Sequence, residues 1–233
     1  MYRIALYIFL ILLPNTASAA YDSQFKNYIT NNVGYNNALK LAITRVHQLT
    51  YPNCDIAPKL SKRFQDIILP VIFNQSDIDN ENKDDDIADN KIEEPSLPIY
   101  GQWIERVLVE TCKKQTVINH LAVAYSESEP IMLPLINGRT KLGVIDQPLA
   151  EKAIADRLNK LDNPCEADAF IIDTNIIGYR TKDGKGINNE NNDNGWFEKW
   201  DLRACGAEYE AKIAILPDPR VRYNYIVRLY PKK

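Results

Sequence analysis

Histidine is almost missing from this chain: two residues, His47 and His120, in 233. Four cysteines and two methionines complete a thin set of soft ligands. No two cysteines are close in sequence, so zinc-finger spacing is excluded. No serine sits in a Gly-x-Ser-x-Gly elbow, and a histidine-based triad has little to draw on. Gly178, Gly184 and Gly186 form no phosphate-binding fingerprint, and Gly184-Lys-Gly186 reads as a turn. There is no basic tract, and the net charge of −3 argues against nucleic acid. The acidic stretch that begins at Asp77, Asp79 and Glu81 has Asn82 where an EF-hand needs glycine and Ala88 where it needs glutamate. The sequence thus points to no metal site and no cofactor.

Long apolar runs are also lacking, with one exception at the start. Ile4 to Leu13 is uninterrupted, follows Arg3, and precedes Ala17-Ser18-Ala19. That is the three-part pattern of a secretory signal, too short to span a bilayer about 30 Å thick. We expect residues 1–20 to be removed, with no integral membrane segment left, and the protein to be periplasmic or secreted. In an oxidising compartment an even cysteine count argues for disulfides.

What the chain does have is an internal echo. Trp103, Glu105 and Cys112 recur at identical spacing as Trp196, Glu198 and Cys205. Upstream, Lys40 to Val46 before Cys54 resembles Lys152 to Leu158 before Cys165. Such recurrence predicts two diverged copies of one module and pairs Cys54 with Cys112 and Cys165 with Cys205. Each bridge is worth about 4 kcal/mol in the chain-entropy model.

The first segment of each copy has helical period: Leu39, Ala42, Ile43 and Val46, then Ala150, Ala153, Ile154 and Leu158. Strands are expected over 66–73, 116–125 and 131–136 in copy one, and over 170–179, 209–216 and 221–230 in copy two, besides the Trp-Glu strand of each. The expected fold class is α+β: two tandem modules, each one helix followed by a four-stranded antiparallel sheet with one internal disulfide. Module 1 spans 38–145 and carries an acidic loop at 74–98; module 2 spans 146–233; residues 21–37 form an N-terminal arm or helix interrupted by Gly34. Alternation sets Tyr209, Ala211, Ile213 and Ile215 inward, and is expected to place Glu208 and Glu210 near Arg222 and Arg228.

In a strand, Trp103 and Glu105 share one face, as do Trp196, Glu198 and Trp200. A carboxylate on an apolar face needs hydrogen-bond donors or a cation. These five residues are the candidate binding positions; the competing reading is a fold-specifying polar contact, which recurrence in both copies favours. His47 is placed on a helix and His120 on a mixed strand face.

The string Gly195-Trp196-Phe-Glu198-Lys-Trp200, followed by Cys205-Gly206, resembles a Gly-x-Trp-x-Glu-x-Trp…Cys-Gly motif of uncharacterised small exported proteins from Gram-negative bacteria. In this chain the tryptophan stands one place nearer the glycine. The earlier copy keeps Gly101 and Trp103 but has Val107 for the second tryptophan and Lys113 for the glycine. The resemblance implies export and a strand-pair fold, and implies no activity.

Three functions are open to the sequence. The first is an exported non-enzymatic tandem β-module that binds another envelope or extracellular protein. The alternative is a secreted cell-wall or glycan hydrolase using Glu105 and Glu198 beside Trp103 and Trp196. A third is an exported inhibitor or chaperone acting through exposed edge strands.

Overall fold

The computed structural model describes residues 16–74, 96–112, 114–126, 128–161, 169–184, 186–191 and 193–232. Three helices lie among them: α1 (Thr16–Asn31), α2 (Val33–Thr50) and α3 (Gln147–Leu158). The strands are β1 (Lys59–Phe73), β2 (Pro98–Thr111), β3 (Lys114–Ala124), β4 (Ile131–Pro134), β5 (Phe170–Arg180), β6 (Ile187–Asn188), β7 (Trp196–Ala204), β8 (Ala207–Asp218) and β9 (Arg222–Pro231). One sheet runs β1-β2-β3-β4 and the other β6-β5-β7-β8-β9. No helix among the described residues is long and apolar enough to cross a membrane.

The expected α+β fold of two modules, each one helix and four strands, is corrected here. The chain is mostly β, 49% strand against 22% helix, in antiparallel sheets of four and five strands with three helices. Two elements account for the difference. Of the two readings of 21–37, arm or helix, the helix holds: α1 gives way to α2 at Asn32, whose side-chain oxygen accepts the Tyr35 N–H at 2.7 Å and caps the second helix. The loop after β5 contributes β6, which pairs Asn188 with Tyr179 and Ile187 with Arg180. A two-residue strand has no periodicity to betray it.

The Cys54–Cys112 disulfide forms, with its Cα atoms 6.1 Å apart. The Cys165–Cys205 expectation rests on Cys165, which lies outside the described residues, as do residues 1–15 of the expected signal and 75–95 of the acidic loop.

The chain forms two compact units. The first takes its described residues from the N-terminus to Leu41, 67–103 and 123–131. Its core is aromatic. Phe25 meets the Trp103 ring edge-on at 5.2 Å, Tyr28 meets Phe73 at 5.9 Å, and the Trp103 indole donates to the Tyr35 hydroxyl at 2.9 Å. Gly34, which reads as a helix interruption, is a close-approach position: a Cβ there would stand 2.2 Å from a Glu129 carboxylate oxygen.

The second unit holds 42–66, 104–122 and 132–233. Ala150, Ile154 and Leu158 line one face of α3 and join Trp196, Trp200, Leu202, Ala211, Ile213 and Ile215 in its core. On β8 the face expected to point inward, Tyr209, Ala211, Ile213 and Ile215, is the more buried one. The expected charge ladder is not formed. Glu208 stands opposite Arg203, Glu210 opposite Asp201 and Tyr230, Arg222 opposite Asp218, and Arg228 opposite Lys212. The β8–β9 ladder runs to the Asp218–Arg222 pair, so its turn lies later than the gap between the expected strands 209–216 and 221–230, and that shifts every partner.

Candidate functional site

Glu198 is completely buried, and its position follows from β7 alternation. Trp196, Glu198 and Trp200 share the inner face at successive alternate residues. The two indoles close on the carboxylate from either side: Trp196 Nε1 donates to Oε1 and Trp200 Nε1 to Oε2, each at 2.7 Å. Oε1 also accepts the Lys141 backbone N–H at 2.9 Å and the Thr140 hydroxyl at 3.2 Å. Four donors converge on one side chain, and only an acceptor-only group satisfies them all.

Thr140 and Lys141 arrive on a segment stitched to both sheets. Gly138 N–H donates to Val117 O of β3 at 2.7 Å, and Arg139 N–H donates to Thr174 O of β5 at 2.7 Å. The Thr174 hydroxyl donates to Asn137 O at 2.8 Å, and the Asn119 amide donates to Ile136 O and Gly138 O. At Gly138, with φ +92°, a Cβ would lie 2.2 Å from Thr174 N, so no side chain fits.

Glu105 is equally buried on β2, held differently. Arg63 donates at 3.1 Å to Oε1, and Gln65 donates to both carboxylate oxygens at 3.3 and 3.0 Å. Both partners come from β1. With the Trp103 indole turned to Tyr35 and Val107 in place of a second tryptophan, this carboxylate draws a cation and an amide where Glu198 draws two indoles.

The odd spacing from tryptophan to cysteine is explained by the turns. Cys205 and Gly206 have φ of 48° and 76° and link Ala204 to its partner Ala207, the positive-φ pair of a type I′ hairpin. Cys112 also has positive φ, 41°. Each cysteine therefore leaves the alternation of its strand.

His47 is buried against the disulfide, its Nε2 hydrogen-bonded to Thr111 Oγ1. Cys54 Sγ is 3.6 Å from the same hydroxyl oxygen. His47, Cys54 and Cys112 meet the spacing of a metal-ligand set, but the two sulfurs are joined to each other. His120 lies buried on β3, and burial pushes its pKa down to about 4. Burial lowers His47 as well.

A histidine held below its ordinary value binds its proton more readily in the unfolded chain. Stability is therefore lost as pH falls from about 6.5 towards 4, by about 3 kcal/mol for His120. Urea denaturation at pH 7, 5 and 4 should show this decline, and His120→Leu should flatten it.

On the face of the second sheet away from its core, cross-strand register arranges residues in bands. Lys199, Lys212 and Arg228 stand opposite one another in a row. On one side Asp173, Asp201 and Glu210 form an acidic row; on the other Phe197, Ala214 and Ile226 form an apolar row. Burial pushes the Asp173 carboxyl upward, with Asp201 adding to the effect. Alternation alone, which placed Glu208 and Glu210 near Arg222 and Arg228, names the face of each residue and not its cross-strand partner, so the banding was not legible in the sequence.

No family model, curated protein or solved structure matches the chain.

Proposed function

We propose that this is an exported, non-enzymatic β protein that binds another envelope or extracellular protein. The observation that carries the reading is the state of the two glutamates. Glu105 and Glu198 are fully buried, and each is engaged by several donors. Neither is accessible to a substrate, and together with their tryptophans they are fold-specifying groups. Export is supported by the Arg3, Ile4–Leu13 and Ala17-Ser18-Ala19 pattern and by the formed Cys54–Cys112 disulfide.

The alternative, a cell-wall or glycan hydrolase, requires two carboxyls facing each other across a wet cleft. Glu105 and Glu198 stand on different sheets and are inaccessible, which favours binding over hydrolysis.

The banded face of the second sheet supplies the contact surface in this reading. Ile226 is 49% exposed and Lys212 carries its charge in solvent, so a partner meets an apolar row flanked by cations. The protein immobilised as exported should capture a partner from the periplasm or medium of its host. Ile226→Ser combined with Lys212→Glu should lose that partner with little change in melting temperature, because both side chains are about half exposed. Release of sugar from cell-wall material by the wild type would overturn the reading.

A further inference from the structure

The outer strand of the first sheet is built unlike the other long edge. β9 sets Arg222 and Arg228 on its solvent face and ends at Pro231, devices that discourage pairing with another chain. β1 is fifteen residues long and is the terminal strand of its sheet. Its solvent face carries Leu60, Lys62, Phe64, Asp66 and Ile68, with Phe64 55% and Ile68 47% exposed. Arg63 and Gln65 point the other way, to Glu105.

We propose that this edge pairs with the same edge of a second copy of the chain, antiparallel and two-fold symmetric about Phe64. The sequence of the exposed face is self-complementary in that one register. Phe64 meets Phe64 of the second copy, Lys62 meets Asp66, Asp66 meets Lys62, and Leu60 and Ile68 meet each other on both sides. Every apolar residue finds an apolar one and every charge its opposite, the favourable cross-strand pairs of an antiparallel ladder. Moving the axis by one residue sets Phe64 opposite Lys62 or Asp66, and moving it by two sets Lys62 opposite Lys62 or Asp66 opposite Asp66. Pro70 has no N–H to contribute, which confines the pairing to the stretch before it. A closed two-fold contact joins one edge to one edge and leaves no β1 open for further growth.

Reciprocal charge reversal tests the register. Lys62→Asp sets like charges opposite each other twice in a self-pair. Asp66→Lys does the same, and is made together with Arg106→Asp because Arg106 pairs with Asp66 at 2.6 Å within the chain. Sedimentation equilibrium on the exported, disulfide-bonded protein should give twice the chain mass for the wild type and a single chain mass for each variant. An equimolar mixture of the two variants should return to the doubled mass, as a mixed dimer. A cooperative thermal transition and an unchanged far-ultraviolet spectrum confirm that the variants fold, the midpoint falling with the loss of the second copy, and Phe64→Lys, also expected as a monomer, serves as the independent check. A monomeric wild type overturns the proposal, as does a variant that stays dimeric, or a mixture of folded variants that fails to pair.

Discussion

Replacing Glu198 with glutamine lowers the melting temperature by about 10 °C, a loss of about 3 kcal/mol in a chain of this size. The amide keeps the shape of the side chain but exchanges one acceptor oxygen for a donor. If its oxygen remains with Trp196, Thr140 and Lys141, its NH2 group confronts the Trp200 indole N–H; if it turns over, three donors lose their acceptor. Nothing nearby can move to water, because both indoles lie in the core. Glu198→Ala removes all acceptors at once and leaves a cavity, with a cost of about 5 kcal/mol. Thermal denaturation followed by circular dichroism measures both. A Glu198→Gln protein as stable as the wild type, with partner capture abolished, would contradict the structural assignment of this residue.

Removing the Cys54–Cys112 bridge has a comparable effect by another route. The bridge closes a 58-residue loop, worth about 4 kcal/mol through restriction of the unfolded chain. It also ties the segment after α2 to the end of β2, where His47, Thr111 and Cys54 are packed together. The Cys54→Ser/Cys112→Ser protein should unfold at lower urea concentration, with a steeper denaturant dependence because its unfolded chain is more extended. An unchanged midpoint would show that α2 is held without the disulfide. Arg203 contributes to that hold, donating to the Leu49 carbonyl at the end of α2 at 2.6 Å.

The elements that the sequence disclosed are those whose information is local. Leu39, Ile43 and Val46 on α2, and Ala150, Ile154 and Leu158 on α3, follow from helical period and are buried. The inward placement of Trp103, Glu105, Trp196, Glu198 and Trp200 follows from strand alternation. What each glutamate touches beyond its own strand was hidden, because Arg63, Gln65, Thr140 and the Lys141 N–H come from distant parts of the chain. Backbone donors leave no mark on residue identity at all. β1 was expected from Asp66 onward; its earlier half, Lys-Leu-Ser-Lys-Arg-Phe-Gln, lacks a buried apolar row because it is an edge. The tandem-module expectation failed for a related reason. Recurring motifs report the strands that carry them, while α1 and β6 have no counterpart in the repeated pattern.

The burial of every tryptophan gives the molecule a built-in optical record of its unfolding. Trp103 is enclosed in the first unit, and Trp196 and Trp200 in the second, with exposures of 0, 4 and 0%. Emission should therefore begin blue and move to longer wavelength as each indole meets water. With Trp103 exchanged for phenylalanine, the remaining light comes from one half alone, and the difference from the parent curve tells which half gives way first.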